Sequence, residues 1–176
     1  MDTLKSIVLS KKNNKLFEKK DKTPTKRVIT QKWTFAKECY EYLFQINLIN
    51  DIFLHASNNT KVFKTVIQEI NKKIYGYKQQ DLLKNKYNET NFLTFENIIA
   101  KMIETKLKCY YCNCETFVLY DISREKKQWS VDRIDNTLGH NTDNYYISCL
   151  ECNLKRRCIK DDKYLFTKQL NIIKHY

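Results

Sequence analysis

Two Cys-x-x-Cys pairs, Cys109/Cys112 and Cys149/Cys152, constrain this chain more than any other feature. Two residues between thiolates let both sulfurs reach one tetrahedral ion at about 2.3 Å, and two such pairs complete a four-thiolate Zn²⁺ site. Four protein ligands leave no open coordination position, so the expected zinc is structural rather than catalytic. The 36 residues between the pairs exceed the roughly 12–20 of common ribbons and fingers. The metal would therefore clamp the ends of an insert large enough for a hairpin, a loop and a strand, and function is expected inside it. Cys114 and Cys158 are spare: either can replace a ligand, but neither has the two-residue spacing. Seven cysteines, an odd number, suit the reduced thiols of an intracellular chain better than disulfides.

A length of 176 residues suits one domain, or a small domain with an extension. Two Gly and one Pro exclude a glycine-rich nucleotide loop and argue against collagenous or many-turned all-β architectures. The formal charge of +12 calls for an anionic partner, of which nucleic acid is the commonest. Residues 1–30 hold 9 basic and 3 acidic groups and read as a basic, mobile arm. No membrane segment is expected, because the most apolar stretch, residues 42–56, is broken by Gln45, Asn47, Asn50, Asp51 and His55. The start has too short an apolar run for a signal peptide. An intracellular location, cytoplasmic or nuclear, follows. The Lys-, Asn- and Ile-rich composition fits an AT-rich genome such as that of a large DNA virus or phage.

Residues 31–107 read as a helical region. Tyr40, Leu43, Phe44, Leu48, Ile52 and Phe53 are spaced for a buried helix or a broken pair. Phe63, Val66, Ile67, Ile70 and Ile74 form an amphipathic stripe ending at Gly76. A short helix is expected over 81–87. Thr94 is an N-cap candidate for a helix with Phe95, Ile98, Ile99, Met102 and Ile103 on one face. Cys39 reads as a small buried hydrophobe, and His55 as a hydrogen-bonded structural residue.

Residues 108–176 read differently. Strands are expected over 116–120 and 128–132, joined as a hairpin, with a polar loop over 133–144. A third strand over 145–148, a helix over 150–159 and a last helix from Asp161 or Asp162 to Ile173 complete the region. The fold class expected is α+β.

Within the insert stand Trp129-Ser130-Val131-Asp132-Arg133-Ile134-Asp135-Asn136, then Gly139-His140, then Asp143-Asn144, and after the second pair Asn153 and Arg156. Over roughly residues 105–160 this order resembles the HNH endonuclease family, in the variety carrying a Cys₄ zinc clamp. The resemblance implies a zinc-clamped ββα-metal domain, DNA as partner and one catalytic divalent ion, Mg²⁺ or Mn²⁺. It implies Asp132 and Asn153 as ligands of that ion, and Asn144 as the residue that holds the loop. Position 133 departs from the pattern: the family's water-activating His is replaced by Arg133. Arginine stays protonated at physiological pH and cannot act as a base.

His140 is the one His in the insert, and its ordinary pKa suits a general base. The expectation is that His140 supplies the base from a displaced position and Arg133 binds substrate; the alternative is a purely structural hydrogen bond from His140. Arg156 and Arg157 fall three and four residues after Asn153, on its helical face, and with Lys155 they are candidates for phosphate binding. Each residue also has an ordinary reading. Asp132, Asp135 and Asn136 suit turns, Asn153 a solvated helix, and residues 155–157 a basic helix end favourable against the dipole. The function expected is a metal-dependent DNA endonuclease. The alternative is a catalytically weakened DNA-binding module on the same fold.

Overall fold

The computed structural model describes residues 6–9, 33–56 and 60–174. The rest of the expected arm lies outside the described residues. Ser6–Leu9 forms β1, and it pairs in parallel with β4, Asn171–Lys174, in the register Ser6 to Asn171 and Leu9 to Lys174. A 3₁₀ turn at Lys37–Tyr40 leads into α1, Tyr42–Phe53. Helices α2, Lys61–Leu83, and α3, Phe95–Glu104, follow. The C-terminal part holds strands β2, Trp129–Arg133, and β3, Tyr145–Cys149, then helices α4, Leu150–Arg156, and α5, Asp161–Gln169. The architecture is α+β, with five helices among the described residues and a two-stranded antiparallel sheet between β2 and β3.

Local chemistry explains several boundaries. Thr94 caps α3: its side chain accepts from the Asn97 N–H, and the Asn97 side chain accepts from the Thr94 N–H. Thr60 caps α2 by accepting from the Phe63 N–H. Helix α2 runs through Gly76 and takes in the first three residues of the short helix expected over 81–87; it ends at Leu83, and residues 84–87 are not helical. A glycine inside a helix costs about 1 kcal/mol relative to alanine, and the apolar stripe before it outweighs that cost. Buried Val66 and Ile70 carry the stripe into the core.

In α1 the buried face is Gln45, Leu48, Ile49 and Ile52. Leu43, Phe44 and Phe53 from the expected stripe are instead exposed. His55 is also exposed; it lies beyond the helix end with a left-handed φ of 53°.

Gln45 explains why the expected first hairpin does not form. Its buried amide donates to the Leu119 carbonyl and accepts from the Val118 and Leu119 N–H groups. Trp33 Nε1 donates to the Tyr120 carbonyl. The backbone of 118–120 is therefore satisfied by side chains rather than by a strand neighbour, and one parallel bridge between Phe117 and Gln128 is what remains. The hairpin actually formed is β2 with β3, in the register Trp129 to Cys149 and Arg133 to Tyr145.

One hydrophobic core crosses the boundary between the helical and Cys-rich regions. Ile49, Val66, Ile70, Ile98 and Met102 pack in the same cluster as Leu119, Trp129, Val131 and Ile147. A smaller cluster joins Cys109, Tyr111, Cys149, Cys152 and Tyr164. Helix α4 stops at Arg156 and α5 stops at Gln169, each short of the expected end, and the chain after α5 turns extended to enter β4.

A four-thiol cluster and a polar cleft on either side of α4

The thiols of Cys109, Cys112, Cys149 and Cys152 all lie within 4.8 Å of one another. A tetrahedral ion with sulfurs at about 2.3 Å needs sulfur–sulfur separations near 3.8 Å, and Cys112 and Cys149 stand 3.9 Å apart. The cluster can therefore hold a metal such as zinc. The first pair is shaped by a tight turn in which the Asn113 N–H donates to the Cys109 carbonyl. Asn113 takes a left-handed φ of 54° there, a conformation asparagine tolerates better than most residues. The second pair lies at the junction of β3 and α4, where the Cys149 sulfur accepts from the Cys152 N–H as the helix cap. Three of the four are buried and Cys112 is exposed. Cys114 packs against the cluster's edge, while Cys158 lines the cleft on the other side of α4.

That cleft has a volume of about 570 Å³ and is bordered by β2, α2, α4 and the loop after β2. Asp132, Arg133, His140 and Asn153 all line it. Asp132 is buried, and Arg156 Nη1 donates to its Oδ1 at 2.7 Å. Its Oδ2 is buried and meets no partner in hydrogen-bond geometry among the described residues, although the Tyr111 hydroxyl lies near the carboxylate. Burial pushes the carboxyl above the usual carboxylate range, against the pull of Arg156 and the Tyr111 hydroxyl. Asn153 spends both amide hydrogens, donating to Ser130 Oγ and to the Val131 carbonyl. Its Oδ1 is the polar atom left to offer.

Asn144 ties the loop together. Its Oδ1 accepts from the Asp135 N–H at 2.8 Å, and its Nδ2 donates to the carbonyls of Asp135 and Gly139. Asp135 makes the turn at the other end by accepting from Thr137 N–H and Oγ1. Gly139 is required by close approach: a Cβ there would lie 2.4 Å from the Lys86 carbonyl and 2.9 Å from Asp81 Oδ2.

His140 is buried against α2. A carboxylate only accepts, so its Nδ1 carries the hydrogen that goes to Asp81 Oδ1 at 2.8 Å. Its backbone N–H donates to Asp81 Oδ2 at 2.6 Å, and its ring stacks on Tyr77 at 4.6 Å. Burial holds the imidazole below its ordinary pKa, with Asp81 pulling the other way. Arg133 Nη1 donates to the Leu138 carbonyl and stands 4.0 Å from Asp81 Oδ1. Tyr77, driven up to about 12 by burial, keeps its proton, and its hydroxyl oxygen accepts from the Val131 N–H.

Comparison of the chain with protein-family models, with curated proteins and with solved structures gives no match.

Two of the residues expected to bind phosphate, Arg156 and Lys155, are placed otherwise. Arg156 does not reach out for a phosphate. It is 1% exposed, and its guanidinium donates to Asp132 Oδ1 and to the carbonyls of Arg133 and Ile134. The reason is geometric: β2 ends against α4, and a charged fork there satisfies three acceptors at once. Lys155 is exposed and paired with Glu151 at 2.8 Å, and Arg157 is exposed and lines the cleft. Asp81 was missed by sequence reasoning. Its signal is faint, a lone acid near the end of a helix, 59 positions from its partner His140.

Proposed function

We propose that the cleft is the active site of a metal-dependent endonuclease of the HNH, ββα-metal kind, acting on DNA. The observation that carries this reading is that Asp132, His140 and Asn153 come together on one cleft beside Arg133. The order β2, β3, α4, with paired thiols behind it, supports it. So does the net charge of +12.

The donor set suits a hard divalent ion. Asp132 has a buried carboxylate oxygen that the nearby Tyr111 hydroxyl does not reach in hydrogen-bond geometry, and the two spent hydrogens of Asn153 leave an amide oxygen; Mg²⁺ and Mn²⁺ prefer such oxygens. When bound, the ion supplies charge stabilisation at the phosphate and at the leaving 3′-oxygen. His140, neutral because burial depresses its pKa and oriented by Asp81 through Nδ1, takes a proton from the attacking water at Nε2. The new bond is water oxygen to phosphorus, and the bond broken is phosphorus to the 3′-oxygen. Arg133 and Arg157 place positive charge where the phosphate lies.

The pairing of Asp132 Oδ1 with Arg156 favours a second reading, a DNA-binding module whose carboxylate is already committed. Incubation of the purified protein with supercoiled plasmid and Mg²⁺, Mn²⁺ or EDTA separates the two. Nicking that requires the metal is expected of the nuclease. Retained DNA without nicking in either metal would establish the binding module.

A further inference from the structure

Helix α2 belongs to the region for which the sequence offers no chemical role. Lys73, Gly76, Tyr77 and Gln80, spaced i, i+3, i+4 and i+7, nevertheless form one helical face along the cleft. This face is firmly attached to the site: Lys73 Nζ donates to the Trp129 carbonyl, Tyr77 accepts from the Val131 N–H, and Asp81 holds His140. In its middle stands Gly76. Glycine weakens a helix interior, and here neither conformation nor packing calls for it. Its φ is not positive, and a Cβ placed on it meets nothing within 4 Å among the described residues. Among the described residues, the space over Gly76 is therefore open to an occupant.

We infer that the 73–80 face of α2 is the second wall of the groove that holds the DNA, and that the sugar–phosphate backbone passes closest at Gly76. This rests on the DNA reading given above. The charges agree with an anionic occupant: Arg133 and the exposed Arg157 lie across the cleft from this wall, while Lys73 spends its ammonium on Gln128 and the Trp129 carbonyl. Glycine is the residue that lets a backbone come close. The helical region then serves as half of the binding site rather than as a separate scaffold.

The test uses the full chain, a fluorescently labelled DNA duplex read by anisotropy, plasmid nicking and thermal melting. Gly76→Ala should raise the melting temperature by about 2–4 °C through helix propensity and weaken DNA binding about threefold. Gly76→Leu, which fills the groove further, should weaken binding by about tenfold or more. Tyr75→Ala, on the exposed neighbouring position, should bind as the wild type does. A Gly76→Leu protein that is folded and binds and nicks as the wild type does would overturn the wall while the DNA reading stands. Should Gly76→Leu fail to fold, unchanged binding by the more stable Gly76→Ala protein overturns it. Wild-type protein that retains no DNA removes both readings together.

Discussion

The thiol cluster and the cleft sit on opposite sides of α4, and Cys152 and Asn153 are consecutive residues that serve one each. The cluster offers four soft sulfur ligands, all within 4.8 Å of one another. The cleft is hard and open: oxygen and nitrogen donors around about 570 Å³. Seven residues of helix thus carry two kinds of chemistry, because a step of one residue turns about 100° around the axis. Four thiols around one ion would leave no vacancy for a substrate, and a metal held there would tie the strand–helix junction together.

The difference is sharpest when one side is damaged. Cys149→Ser should lose the bound metal by elemental analysis and lower the melting temperature by about 10 °C or more, since metal binding here is folding energy. Retention of a full equivalent of metal would break the assignment of the cluster.

On the other side, Asp132→Asn should retain the metal of the cluster and reduce plasmid nicking by about 10²–10³-fold. Asp132→Ala is a harsher change, because it strands the buried Arg156 guanidinium, and breaking a buried pair costs about 3–5 kcal/mol. Its melting temperature should fall well below that of Asp132→Asn. Equal melting of the two variants would show that the pair is not formed in solution.

Asp81→Asn should lower turnover by about ten- to a hundredfold with DNA affinity unchanged, as expected of a residue acting through His140. The pH profile gives an independent check. Burial depresses the His140 pKa and Asp81 opposes that shift, so the rate should fall with pH only below the ordinary value of about 6.5. Removing the carboxylate deepens the depression and should move the acid limb to still lower pH. A limb that stays in place, or moves up, would detach Asp81 from the mechanism.

The smallest effect is expected at Lys155, paired with Glu151 on the exposed face of α4. Lys155→Ala should change stability by no more than about 0.5 kcal/mol in chemical denaturation.

What was legible in the sequence follows distance along the chain. The knuckles, the Thr94 cap and the stripe from Phe63 to Ile74 are local patterns, and each appears in the structure as a cluster, a cap and a helix. The Asp81–His140 pair, the capture of 118–119 by Gln45 and the burial of Arg156 are tertiary choices. In each, a polar group finds a partner that no period or spacing announces. Gln45 stands in an apolar stripe and reads as an interruption, yet its amide replaces a strand. Arg156 reads as part of a basic run, yet only one of its neighbours, Arg157, faces the cleft.

The parallel pairing of β1 with β4 has a consequence for the order of folding. Ser6 meets Asn171, a closure that encircles nearly the whole chain. A ladder of two short parallel strands has little stability of its own, and each doubling of the enclosed chain adds about 0.6 kcal/mol of closure entropy. It can close only after the shared core and the thiol cluster have brought the ends together. The expectation is a late latch: substitutions in β1 or β4 should leave the folding rate nearly unchanged and speed unfolding.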